Sequence, residues 1–108
     1  DWAHLEALRS LAYRTAWMQD MRYKGNRFTP HEVAKMIAAC KLIAPHFAFD
    51  VYKHVMIWMG AYGYSQECPI DMAWRGIMSY CIGAEGALNI QRIVIGRELL
   101  GKEFIPYK

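Results

Sequence analysis

Residues 84–101 read AEGALNIQRIVIGRELLG, a short irregular opening followed by a periodic apolar run that closes on glycine. Ile90, Ile93, Val94 and Leu100 recur at three- and four-residue intervals, which puts them on one face of a helix. Gln91, Arg92 and Glu98 fall largely off that face. Arg97 breaks the stripe, with a stem able to lie along it while the charge reaches water. Gly101 followed by Lys102 reads as a helix stop. The spacing predicts a last helix over about 87–100, with Glu85 just before its positive end. A carboxylate there is either a cap that stabilises the helix or a reactive base held in position. Composition leaves both readings open.

Upstream, the clearest local signal is Thr29-Pro30-His31-Glu32. Thr is the cap, Pro fills the first helical position where a missing N–H costs nothing, and Glu reaches back: a capping box. The second helix it opens carries Val33, Met36, Ile37, Cys40, Ile43 and Ala44. Pro45 removes a backbone donor, yet the pattern resumes with Phe47, Val51, Val55 and Trp58, so one long helix bent near Pro45 is expected over about 30–59. Before it, Leu5, Leu8, Ala12, Ala16 and Trp17 give the first helix an apolar face, with Asp1 as a candidate cap and an end near Arg22. Residues 60–69 form a loop, and a third helix follows over about 70–80. Strand alternation never persists. The expected fold is all-α, a four-helix up-down bundle in a single domain over residues 1–108.

The 55% hydrophobic content is high for a domain of this size and implies surfaces meant for other domains or subunits. A net charge of +3, with Lys and Arg scattered, gives a nucleic-acid partner little support. No apolar run reaches the length of a membrane span, and no signal peptide is visible. The chain begins at Asp1 and enters a helical pattern at once, so it reads as a piece of a longer protein. Cys40, Cys68 and Cys81 are odd in number and form no close pair, which fits a reducing compartment better than a disulfide framework. His46, Asp50 and His54 lie four apart on the second helix. That spacing suits a metal site, but no Glu is followed three residues later by His, and an ion-paired solvated face accounts for it better. His4 and His31 are expected at the surface.

The Glu-Gly of Glu85-Gly86, the Ile-Gln-Arg of residues 90–92 and the closing Arg-Glu-Leu-Leu-Gly resemble the C-terminal end of an acyl-CoA dehydrogenase. The GAYGY of Gly60 to Tyr64, with Pro69 and Arg75 after it, is similar to that family's Gly-Gly-x-Gly-Tyr loop and Arg-Asp pair. The resemblance runs ungapped over essentially the whole chain and implies the C-terminal helical domain of a flavoenzyme. It implies that Glu85 removes the α proton of an acyl-CoA thioester while hydride leaves the β carbon for FAD. It also implies that Gly60, Ala61, Tyr62, Gly63 and Ala87 contact the cofactor, the loop reaching the flavin of a neighbouring subunit. The implied partners are the acyl-CoA substrate, the other domains of the same chain and further subunits in a dimer or tetramer, homotetramers included. Electron-transferring flavoprotein is the implied acceptor. The implied location is the cytoplasm, or the mitochondrial matrix in a eukaryote, and the isolated stretch is expected to be inactive.

Several positions depart from the family pattern. Ala87 stands where a hydroxyl often contacts the flavin, Ile57 where a Gln often helps hold the nucleotide end, Ala61 for the second Gly and Gly76 for the Asp of Arg-Asp. These departures keep open a second reading, a non-catalytic assembly domain or degenerate subunit of a hetero-oligomer, with Glu85 vestigial.

Overall fold

The computed structural model describes residues 1–25, 27–84, 86–101 and 103. Five helices follow in order: α1 (Trp2–Gly25), α2 (Pro30–Trp58), the single-turn α3 (Ala61–Tyr64), α4 (Pro69–Ile82) and α5 (Leu88–Leu100). Among the described residues there is no strand, so the chain is all-α with four main helices.

The capping box forms as the residue types require. The Thr29 hydroxyl accepts from the Glu32 N–H at 3.2 Å, and the Glu32 carboxylate accepts from the Thr29 N–H at 2.8 Å. From there α2 runs unbroken through Pro45, which is buried. The helix survives because its apolar residues on both sides of Pro45 are held by neighbours, outweighing one missing hydrogen bond.

Every other element packs on α2. Helix α1 runs against it in the opposite direction, as three pairings show. Asp1 reaches His54 at 2.9 Å, His4 stacks on Phe47, and Thr15 meets Cys40 at 3.4 Å. Helix α4 also runs antiparallel to α2, with Trp74 against Phe49 and the Tyr80 carbonyl beside Lys41. The first three long helices thus alternate up and down. Helix α5 then continues in the sense of α4 along the first half of α2, where Glu98 meets His31 at 3.3 Å. The result is a slab, 52 × 32 × 19 Å, with α2 as its spine.

Its radius of gyration is 17.1 Å, against about 13 Å for a compact domain of this length. The accessible surface is 7886 Å², roughly a quarter more than a compact monomer of this mass exposes. Among the described residues the buried large apolar side chains are few, Met18, Val33, Cys68 and Leu88, together with small Ala38. Trp2 and Trp58, by contrast, are 75% and 74% exposed. The apolar surplus expected from composition therefore lies at the surface, with Ile57, Met72, Ile82, Leu99 and Leu100 exposed as well.

Two faces differ from the sequence expectation. On α1 the buried residues are Thr15 and Met18, in line with half-buried Leu11 and the expected Leu8, while Leu5, Ala12, Ala16 and Trp17 are exposed. On α5 the buried residues are Leu88 and Gln91; of the expected stripe Ile93 and Val94 are half-buried, while Ile90 and Leu100 are exposed. Both helices carry apolar residues nearly all round, so periodicity does not single out the side that meets α2. Asp1 also differs. Its carbonyl accepts the Leu5 N–H, but its carboxylate crosses to His54.

Candidate functional site

The Gly60–Pro69 connection is a loop interrupted by α3, and backbone conformation explains one of its glycines and packing the other. Gly60 has φ 61 and ψ −141, a combination almost confined to glycine. Gly63 is buried so closely on the backbone of Met56 that any Cβ would run into the Met56 carbonyl. Ala61 and Tyr62 lie on the outer side of this turn, Tyr62 half exposed. Beside the loop lies a groove of about 400 Å³ lined by Lys53, Met56, Ile57, Gly60, Tyr64 and Trp74. The Trp74 indole Nε1 is buried without a hydrogen-bond partner.

The second candidate segment lies at the other end of α4. Glu85 is outside the described residues; its flanks are not. Gly83 ends α4, its N–H donating to the Ser79 carbonyl at 2.8 Å. Ala84 has φ 53, the one non-glycine in the left-handed region among the described residues, and Gly86 has φ 103. Ala87 is the N-cap of α5, extended at φ −60 and ψ 158, and has no side chain able to cap. Its carbonyl accepts from the N–H groups of Ile90 and Gln91 at 2.9 and 3.2 Å.

Two side chains from elsewhere reach this turn. The Lys41 ammonium, from α2, donates to the carbonyls of Tyr80 at 2.7 Å and Gly83 at 3.2 Å, and lies 5.5 Å from the centre of the Tyr80 ring. The Gln91 amide, buried on α5, donates to the Gly86 carbonyl at 3.4 Å. Sequence reasoning missed both. Gln91 sits off the apolar stripe, and Lys41 is one scattered cation among many. Their signal is three-dimensional.

The two candidate segments do not meet in one copy of the chain. Lys41 marks the Glu85 side and Gly60 the loop side, so they are separated by about 25 Å along α2 at 1.5 Å per residue. The remaining polar candidates resolve into ordinary pairs. His54 takes Asp1 rather than Asp50, Arg75 lies 3.6 Å from Asp71 on its own helix, and His31 pairs with Glu98. Hydrogen bonding from Arg97, then the nearby His31 charge, holds the Glu98 carboxyl below its usual range. Among the described residues no three His, Cys, Asp or Glu side chains converge as metal ligands, and no helix is long and apolar enough to cross a membrane.

Comparison with known proteins gives this arrangement its context. The family profile described as "Acyl-CoA dehydrogenase, C-terminal domain" matches residues 2–100. Cyclohexane-1-carbonyl-CoA dehydrogenase of Geobacter metallireducens is 36% identical over 89% of this chain and 23% of that protein. Benzylmalonyl-CoA dehydrogenase of Aromatoleum aromaticum is 32% identical over 88% of this chain and 23% of its own length. Glutaryl-CoA dehydrogenase of Desulfococcus multivorans is 31% identical over 90% and 23% respectively. The chain thus spans about a quarter of the length of these relatives. No solved structure matches it closely. With the all-helical slab and a family match running from α1 to the end of α5, the chain belongs to the acyl-CoA dehydrogenase family, as a C-terminal domain.

Proposed function

We propose that this chain is the C-terminal domain of an FAD-dependent acyl-CoA dehydrogenase, with Glu85 as the base that takes the α proton of the thioester. The observation that carries the reading is the turn around that residue. A left-handed alanine costs about 1 kcal/mol or more relative to ordinary backbone, and Ala84 adopts it immediately before Glu85. Strain of this kind persists where a segment is held for a purpose other than folding. The turn also ends at the positive end of α5, which holds negative charge near the reaction.

The residues of the Gly60 loop fit a flavin nucleotide. Exposed Tyr62 and Tyr64 offer flat faces, Lys53 offers a cation to phosphate, and the Trp74 N–H is a donor in need of an acceptor. The 25 Å separation along α2 supports the loop of one copy and the Glu85 turn of another serving a shared site. FAD, when bound, supplies the oxidant that accepts hydride from the β carbon. The carboxylate of Glu85 takes the α proton, and a carbon–carbon double bond forms between the two carbons. A base for this task works best with water kept away. Ile82 is 70% exposed here and Ala84 is also exposed, so the cover comes from surfaces beyond this chain.

The three relatives are named for different acyl groups on a common CoA thioester. That supports acyl-CoA as the substrate class. The many exposed large apolar side chains support assembly with other domains and with further copies, and for a degenerate subunit assembly would be the whole task. The two readings separate on Glu85→Gln in the full-length protein. If Glu85 is the base, flavin content is kept and flavin reduction by an acyl-CoA slows about 10²–10⁴-fold in rapid mixing. A variant that bleaches as fast as the parent moves the base elsewhere. A parent that no acyl-CoA reduces supports the assembly role.

A further inference from the structure

We propose that Lys41 is a positioning residue for Glu85, holding the upstream side of its turn while Gln91 holds the downstream side. The inference rests on Glu85 being the base, but its geometry stands by itself. Helix α4 ends with no basic residue in its last turn, so its terminal carbonyls carry uncompensated partial negative charge. Lys41 supplies the missing cation from α2. One ammonium donates to Tyr80 in the last turn and to Gly83 at the cap, two residues before Glu85. Charge-assisted bonds of this kind are stronger than neutral ones, and they tie the end of α4 to the spine of the molecule.

On the other side, Gln91 is fixed by burial in the first turn of α5 and takes the Gly86 carbonyl, one residue after Glu85. The fit there is close. A Cβ on Gly86 would come within 2.8 Å of the Gln91 amide nitrogen. The turn is therefore held at both shoulders, by a cation from one helix and an amide from another. Neither side chain follows from the needs of its own helix. Lys41 is a half-buried lysine bent onto backbone, and Gln91 is a polar residue on the packed side of α5.

The test compares Lys41→Met and Lys41→Arg in the full-length protein. Met keeps the apolar stem and removes the cation, so folding and flavin content are expected to hold. The rate of flavin reduction at saturating acyl-CoA should fall about 10- to 100-fold, as for a displaced reacting group. The half-saturating acyl-CoA concentration should stay unchanged. Lys41→Arg, which keeps a cationic donor of similar reach, should recover most of the rate. Amide hydrogen exchange across residues 83–88 should quicken in the Met variant and not in the Arg variant. A Met variant that reduces flavin as fast as the parent overturns the proposal. So does one that loses flavin, stability and rate together with no recovery by Arg, which would make Lys41 merely structural. Gln91→Leu gives an independent arm, since faster exchange at Gly86 and Ala87 is expected there with Lys41 intact. If Glu85→Gln reduces flavin as fast as the parent, the base reading fails instead, and the exchange rates alone decide whether Lys41 holds the turn.

Discussion

The starts of α2 and α5 show two ways of ordering a helix end. At α2 everything needed lies within four consecutive residues: Thr29 and Glu32 satisfy each other's backbone N–H, and Pro30 needs no partner. At α5 the N-cap is Ala87, which offers nothing, and the turn before it carries left-handed backbone at Ala84 and Gly86. Its flanking residues are held by Lys41 from α2 and by Gln91 from within α5 itself. The first end is built for folding alone. The second breaks a local rule and is compensated from a distance, which is where function is to be sought.

Thr29→Ala should show the larger effect of the changes that probe this contrast. It removes the hydroxyl that accepts the Glu32 N–H and donates to the Glu32 carboxylate at 2.9 Å. A loss of about 1–2 kcal/mol in urea unfolding is expected, with flavin reduction per folded molecule unchanged. A variant that keeps its stability but loses rate would undo the assignment of this end to folding alone.

How much was legible from sequence follows the same division. The capping box, the helix through Pro45, a helix beginning at about residue 70 and the all-α class were readable because each rests on neighbours in sequence. The packed side of α1 was legible only at Leu8, because Leu11, Thr15 and Met18 compete with Leu5, Ala12, Ala16 and Trp17 for the face assignment. Helix α5 was legible only in part, since Ile93 and Val94 pack as expected while Ile90 and Leu100 are exposed and Gln91 looked like a solvent residue. The glycines of the Gly60 loop were visible as a motif, but the need for Gly63 comes from the Met56 carbonyl on the preceding helix. The clamps on the Glu85 turn join residues about forty positions apart and five positions apart, and no periodicity reports the first of these. The position of Glu85 just before a helix stood out in the sequence as that of a cap or a base, and the preference for a base came from family resemblance alone.

A smaller and opposite effect is expected at α5. Ala87 has the extended backbone of an N-cap, so Ala87→Ser places a hydroxyl where it can accept an N–H from the first turn. Stability should rise by about 0.5–1 kcal/mol in urea unfolding. If it does not rise, the end is already satisfied and the contrast with α2 is weaker than drawn.

The smallest effect concerns pH and sharpens the account of α2. The Glu32 carboxyl is held below its usual range, first by the Thr29 backbone N–H, then by the Thr29 hydroxyl, with Lys35 adding a little and desolvation opposing. A carboxyl with a depressed folded-state pKa contributes stability that is fully present above its unfolded pKa. That stability is lost as pH falls through the folded value. The parent should therefore lose the contribution of the box on acidification from about pH 5 downward. Thr29→Ala keeps the backbone N–H, the larger cause, and removes the hydroxyl, so its Glu32 pKa should return only part of the way. The stability gap between parent and variant should then narrow as the pH falls through this window. A gap that stays constant would mean the Thr29 hydroxyl acts only on the Glu32 N–H and not on the carboxylate, leaving half of the box without energetic weight.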